Sequence, residues 1–160
     1  MNDEYVKALE QSLQGVLGAM AGLDVIQIAP DPKLGHDVLY HDSITGVISL
    51  NSATVHFSVA LIFPTSVITA MAQRMLPGIE IQTNHAMVVD LVGEMANMVV
   101  GGAKNSLDES GSELNLSLPV VVAGHDYHVE HKSEGQLRLS QFQSELGEIH
   151  IESSYQSKRG

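Results

Sequence analysis

Five apolar residues in succession, Val59-Ala60-Leu61-Ile62-Phe63, end on a proline at position 64. Successive side chains of a strand point to opposite faces, so an unbroken apolar run needs cover on both. The run therefore predicts a strand over Thr54–Phe63 that is buried on both sides. The segment Ile44–Leu50 before it reads as a paired strand, with Asn51-Ser52 as the hairpin turn. A membrane span is not expected. The nearly uncharged stretch from Val55 to Met71 is interrupted by His56, Ser58 and Pro64, and no run reaches the roughly 18–20 apolar residues a span needs.

Around this hairpin the pattern changes period. Val6, Leu9, Leu13, Val16, Leu17 and Met20 recur at helical spacing, with Asn2 or Asp3 available as a cap and a stop near Gly22. Short strands are expected at Asp24–Ala29, before the Pro30-Asp31-Pro32 break, and at Val38–Tyr40. Pro64-Thr65-Ser66 opens a second helix to about Leu76, stopped by Pro77-Gly78. A third begins at Thr83-Asn84, where Asn84 is a good N-cap, and runs to about Leu107. Asp108–Glu113 is polar, contains Gly111 and reads as a loop. Four further strands are expected at Leu116–Ala123, Tyr127–His131, Gln136–Gln143 and Glu148–Tyr155. Their turns carry Gly124-His125-Asp126, Ser133-Glu134-Gly135 and Glu145-Leu146-Gly147. Helices and strands do not alternate, so the fold class is α+β: helices packed on one face of a largely antiparallel sheet. No linker divides the chain, which reads as one domain over residues 1–160.

Charge narrows the partners. Nineteen Asp and Glu against eight Lys and Arg leave a formal charge of −11, which repels a phosphate backbone, and no basic patch offsets it. Nucleic acid is not an expected partner. The chain has no cysteine, which removes disulfides, thiolate nucleophiles and Cys-ligated zinc. The N-terminal MNDEYVKALEQSL is acidic and amphipathic, unlike a signal peptide. The expected compartment is the cytoplasm.

The third helix carries the candidate site. At about 100° per residue, Asp90, Glu94, Asn97, Gly101 and Lys104 fall in one polar sector. Val88, Leu91, Val92, Met95, Met98, Val99 and Ala103 take the opposite face. Glu94 and Asn97, at i and i+3, project side by side. An anion and an amide can fasten a partner and orient a water, but the stripe holds no Ser, Cys or His nucleophile. Glu-x-x-Asn is too short to be specific, and spacing by itself favours two solvated surface residues. Gly101 and Gly102 are less ordinary, because each costs roughly 1 kcal/mol in a helix interior. Close approach of the sheet or of a partner would account for them.

The run Gly93-Glu94-Met95-Ala96-Asn97-Met98-Val99-Val100-Gly101-Gly102-Ala103-Lys104, preceded by Asp90, resembles the signature helix of the CheC/CheX/FliY chemotaxis phosphatases. Leu116-Ser117-Leu118-Pro119-Val120-Val121-Val122-Ala123-Gly124 is similar to the strand that follows it there. CheC and FliY relatives carry two Glu-x-x-Asn helices. This chain has one, since the first helix offers Glu10-Gln11-Ser12-Leu13 without the asparagine, and a single site is the CheX pattern. The resemblance implies an enzyme that hydrolyses the aspartyl phosphate of a CheY-type response regulator in two-component signalling. It implies Glu94 and Asn97 as catalytic residues, Glu94 docking the regulator's lysine and Asn97 orienting the attacking water. Asp90, Glu94, Asn97, Gly101 and Lys104 would meet the phosphorylated receiver domain. Mg²⁺ would come with the receiver and no cofactor with this chain, which would act as a homodimer. A receiver-binding module without turnover is the alternative.

A metal enzyme is a further reading, because His125, His128 and His131 cluster with Asp126 and Glu130. On a strand, a spacing of three sends alternate histidines to opposite faces, so the three would not converge. No metal site is expected. Most of the seven methionines, Met71, Met75, Met87, Met95 and Met98 among them, are expected in the helix core.

Overall fold

The hairpin forms the centre of the sheet. In the computed structural model, which describes residues 2–29, 38–81, 85–108, 113–131 and 136–158, β2 (Tyr40–Asn51) pairs antiparallel with β3 (Val55–Pro64), from Ser43↔Pro64 to Asn51↔His56. Ser52 closes the turn: its amide donates to the Val55 carbonyl at 3.0 Å, and its hydroxyl accepts from the Thr54 and Val55 amides. On the other side of β3 lie β7 (Gly147–Ser157), β6 (Gln136–Ser144) and the short β1 (Ile26–Ile28). Beyond β2 lie β4 (Asn115–Leu116) and β5 (Val120–Tyr127). Every pairing is antiparallel.

Helices α1 (Asn2–Ala21), α2 (Thr65–Met75) and α3 (His85–Asp108) cover one face of this sheet. Their apolar stripes meet Ile44 and Ile48 of β2, Val59, Leu61 and Phe63 of β3, and Ile149 and Ile151 of β7. The α+β arrangement expected from the sequence is the one observed. The second face is covered differently: Val38, Tyr40, Ala60 and Ile62 form a smaller cluster, with Tyr127, Val129 and Leu139 packed on it. Residues 57–63 are thus buried throughout, as the apolar run requires. By length and mean hydropathy α3 passes as a membrane span over His85–Leu107; here its apolar side lies on the sheet and on α1.

The ladder differs from the sequence reading in three places. Val38–Tyr40 and Ile44–Leu50 were expected as separate strands, but β2 runs unbroken from Tyr40. The expected turn at Gly124-His125-Asp126 is instead the interior of β5, and 128–131, expected as strand, contains none. Both differences have one cause. The polar stretches of β2 and β5 face each other, and His41 bonds Asp126 while His125 bonds Asp42 at 2.7 Å. Cross-strand pairs of this kind stabilise a ladder that propensity alone would break. Gly124 fits because the Tyr127 ring lies over it: a Cβ there would sit 2.8 Å from the ring. The third difference is that Leu116–Ala123 divides into β4 and β5 around Pro119, which has no amide to donate.

Helix ends follow the sequence where they are described. The chain leaves α1 at Gly22, whose left-handed φ of 59° suits a glycine. The expected cap Asn84, the Pro30-Asp31-Pro32 break and the Ser133-Glu134-Gly135 turn lie outside the described residues.

Candidate functional site

The polar sector of α3 faces away from the sheet. Asp90 and Glu94 are exposed and Asn97, Gly101 and Lys104 are half-buried, while Val88, Val92, Met95, Val99 and Ala103 on the other side are buried. The five candidate residues therefore lie along one accessible stripe. Met98 departs from expectation. It was placed on the buried face, but it is exposed and lies on the stripe's rim, and Leu91 is only partly buried. Met71 and Met95 are core, and Met75 and Met87 pack on its margin. The side chains of Glu94 and Asn97 have no hydrogen-bond or ion-pair partner among the described residues. Polar groups left unbound by their own chain are free to bind another's.

Four glycines decide how α3 is presented. Beneath the helix, Gly46 of β2 lets it settle onto the sheet: a Cβ there would come 2.9 Å from the Ala96 Cβ and 3.3 Å from the Val92 carbonyl. On one flank Gly93 packs against β5 and the residue before it, with Val121 at 3.4 Å and Pro119 at 3.8 Å from the position of an added Cβ. On the other flank Gly102 faces α1, where the Ser12 hydroxyl would lie 2.5 Å from such an atom. Gly101 alone faces open space. Gly102 thus answers to a neighbouring helix, whereas Gly101 leaves room on the accessible side.

The histidine group does not assemble. His125 bonds Asp42, His128 lies 3.4 Å from Glu130, and His131 turns inward to Ser58 at 3.0 Å and Glu152 at 3.3 Å. Among the described residues no three His, Asp or Glu side chains are placed to share a metal ion. Glu152 is nearly inaccessible and also accepts from the Tyr40 hydroxyl. Burial first, and the Glu152 carboxylate second, push the Tyr40 hydroxyl well above the usual phenol range.

Sequence reasoning missed the supports of the stripe: Ser12, Gly46, Pro119 and Val121. A lone glycine inside an apolar strand pattern signals close backbone approach, so Gly46 was findable. Nothing in the pattern of α1 singles out Ser12.

The family model described as chemotaxis phosphatase CheX matches residues 44–143, a span that includes β2 from Ile44 onward and the whole of β3, α3 and β5. The chain belongs to this family. Among CheX proteins, it is 26% identical over 154 residues to the CheY-P phosphatase CheX of Thermotoga maritima, covering 94% of this chain and 96% of that one. It is 33% identical to the chemotaxis protein CheX of Vibrio vulnificus, with a TM-score of 0.85 over 96% of this chain and 99% of that one. The CheX fold is also shared with the CheX–CheY–BeF3–Mg²⁺ complex from Borrelia burgdorferi, at 13% identity and a TM-score of 0.74, covering 95% and 97% of the two chains.

Proposed function

We propose that this CheX-family chain is an aspartyl-phosphate phosphatase acting on a phosphorylated CheY-type receiver domain. The observation that carries the reading is that Glu94 and Asn97 lie side by side on the outward stripe of α3, their side chains without a partner among the described residues. The Thermotoga maritima relative named as a CheY-P phosphatase supports the activity. The Borrelia burgdorferi complex supports CheY as the kind of partner.

The chemistry asks little of the catalyst. An acyl phosphate is already reactive, so rate comes from placing water in line with the breaking P–O bond and from stabilising the equatorial oxygens. Glu94 docks a receiver lysine, and Asp90, Gly101 and Lys104 lie under the bound receiver. Asn97 inserts its carboxamide, which accepts from the attacking water without repelling the phosphoryl group as a carboxylate would. Mg²⁺ stays with the receiver's own acidic pocket, and the chain adds no cofactor. Water attacks phosphorus, the receiver's aspartate leaves as a carboxylate, and inorganic phosphate is released.

The working form is a cytoplasmic homodimer. The outer edge of β5 pairs with no described strand, and it exposes Val120 and Val122 at 61% and 47%. An apolar open edge of this kind suits a second copy.

The test is phosphate release from a phosphorylated CheY-type receiver with Mg²⁺, with and without this protein and its Asn97→Ala variant. Acceleration that disappears in the variant supports the assignment. No acceleration by the wild-type protein with any receiver of its organism would leave a binding module in its place.

A further inference from the structure

If Asn97 is to reach a phosphoryl group on another protein, α3 must hold it at a fixed angle. The structure assigns that task in part to Ser12 of α1, which we infer to be a positioning residue for Asn97; the inference rests on the phosphatase reading above.

The Ser12 hydroxyl donates to the Val99 carbonyl of α3 at 2.6 Å. Val99 lies two residues beyond Asn97 and is buried. At about 100° per residue the two point roughly 160° apart around the axis. Ser12 therefore holds the backbone behind Asn97 rather than the docking surface. The space it occupies is kept clear by Gly102, where any Cβ would lie 2.5 Å from the hydroxyl. The opposite flank bears on Val121 and Pro119, and the underside on Gly46. Those contacts are van der Waals and permit a small roll of the helix; the Ser12 bond gives α1 a directional hold against it.

A roll would affect the two site residues unequally. Glu94 is exposed and long, and attraction between carboxylate and ammonium tolerates a shift. Asn97 is half-buried and must bring its amide within hydrogen-bonding distance of one water. Loss of the Ser12 bond is thus expected to lower kcat and to spare KM.

The experiment measures phosphate release against receiver phosphate concentration for wild type, Asn97→Ala, Ser12→Ala, Gly102→Ala and the double variant Ser12→Ala/Gly102→Ala, with a thermal melt of each. In the double variant the added Cβ would sit 3.6 Å from the Cβ of residue 12, an ordinary contact. It therefore fills the gap without restoring the bond, and is the readout if Ser12→Ala alone melts early. The expected result is a kcat about tenfold lower for Ser12→Ala and equally low for the double variant, with KM within about twofold. Wild-type kcat in both, with Asn97→Ala inactive, would overturn the role of Ser12 and leave the phosphatase reading standing. A wild-type protein that releases no phosphate would overturn both.

Discussion

Gly93 and Gly102 stand on opposite flanks of α3. They are nine residues apart, which at about 100° per residue is half a revolution around the helix. Each admits a different neighbour, Val121 and Pro119 against Gly93 and Ser12 against Gly102. Between these two contacts, on the side away from the sheet, run Asp90, Glu94, Asn97 and Gly101. The helix is gripped from both sides so that its outward stripe is fixed in direction.

The roles proposed for Glu94 and Asn97 separate kinetically. Asn97→Ala should lower kcat by about 10²–10³ with little change in KM, the usual effect of removing one well-placed polar group. Glu94→Ala should raise KM while leaving most of kcat. Steady-state phosphate release over a range of receiver phosphate distinguishes them, and equal profiles for the two variants would contradict the division.

Packing beneath the helix is tight enough to test by exchange. Gly46→Ala drives a methyl into Ala96 and the Val92 carbonyl and should cost about 1–3 kcal/mol. Adding Ala96→Gly removes the nearer clash and should recover part of the loss, less about 1 kcal/mol for a glycine within a helix. Denaturant unfolding of the two single variants and the double completes the cycle.

Behind the sheet, Glu152 joins two chain segments, accepting from Tyr40 at the start of β2 and lying 3.3 Å from His131 beyond β5. Their side chains are only 4% and 5% exposed for Glu152 and His131. Glu152→Ala leaves the buried Tyr40 hydroxyl and His131 ring without this partner and should cost about 1–3 kcal/mol for each. Chemical denaturation measures the loss, and amide exchange should show residues 128–131 opening first.

The end of the β2–β5 ladder should respond to pH. The hydrogen bond to Asp42, and then its charge, raise the His125 pKa. A raised folded-state value stabilises the protein while pH is below the ordinary histidine range. That contribution is lost as pH rises through the folded value. NMR titration should show His125 losing its proton at lower pH in Asp42→Asn, and exchange at this end quickening as the wild-type histidine deprotonates. An unchanged His125 titration in the variant would remove the linkage.

The dimer proposal makes a separate prediction. A charge on the open edge, as in Val120→Asp, should convert the protein from dimer to monomer without unfolding it, because the side chain is exposed in the single chain. Light scattering coupled to gel filtration reads the mass directly.

Much of the molecule was legible before folding because local patterns have local causes. The apolar run at Val59–Phe63 implied two covered faces, and helical periodicity placed the three helices. The wheel of α3 brought Asp90, Glu94, Asn97, Gly101 and Lys104 to one side. What the pattern misjudged were the strands at 38–40 and 127–131, where pairing across the sheet decides the matter: His41 with Asp126 and Asp42 with His125 keep polar segments in the ladder; the run 116–123 is divided by Pro119, which has no amide to donate. Met98 reads as apolar and therefore buried, yet four residues past Glu94 it stands only about 40° from it around the helix, and it lies exposed on the stripe's rim. The sequence by itself determined the fold class, the helix that carries the candidate stripe and the order of residues along it, since periodicity and side-chain chemistry are properties of short segments. Only the tertiary structure decided which glycine faces α1 and which faces solvent, where His131 goes, and that Ser12, 85 residues before Asn97 in the chain (97 − 12), bonds the backbone behind it. Those are contacts between distant segments, and no local pattern encodes them.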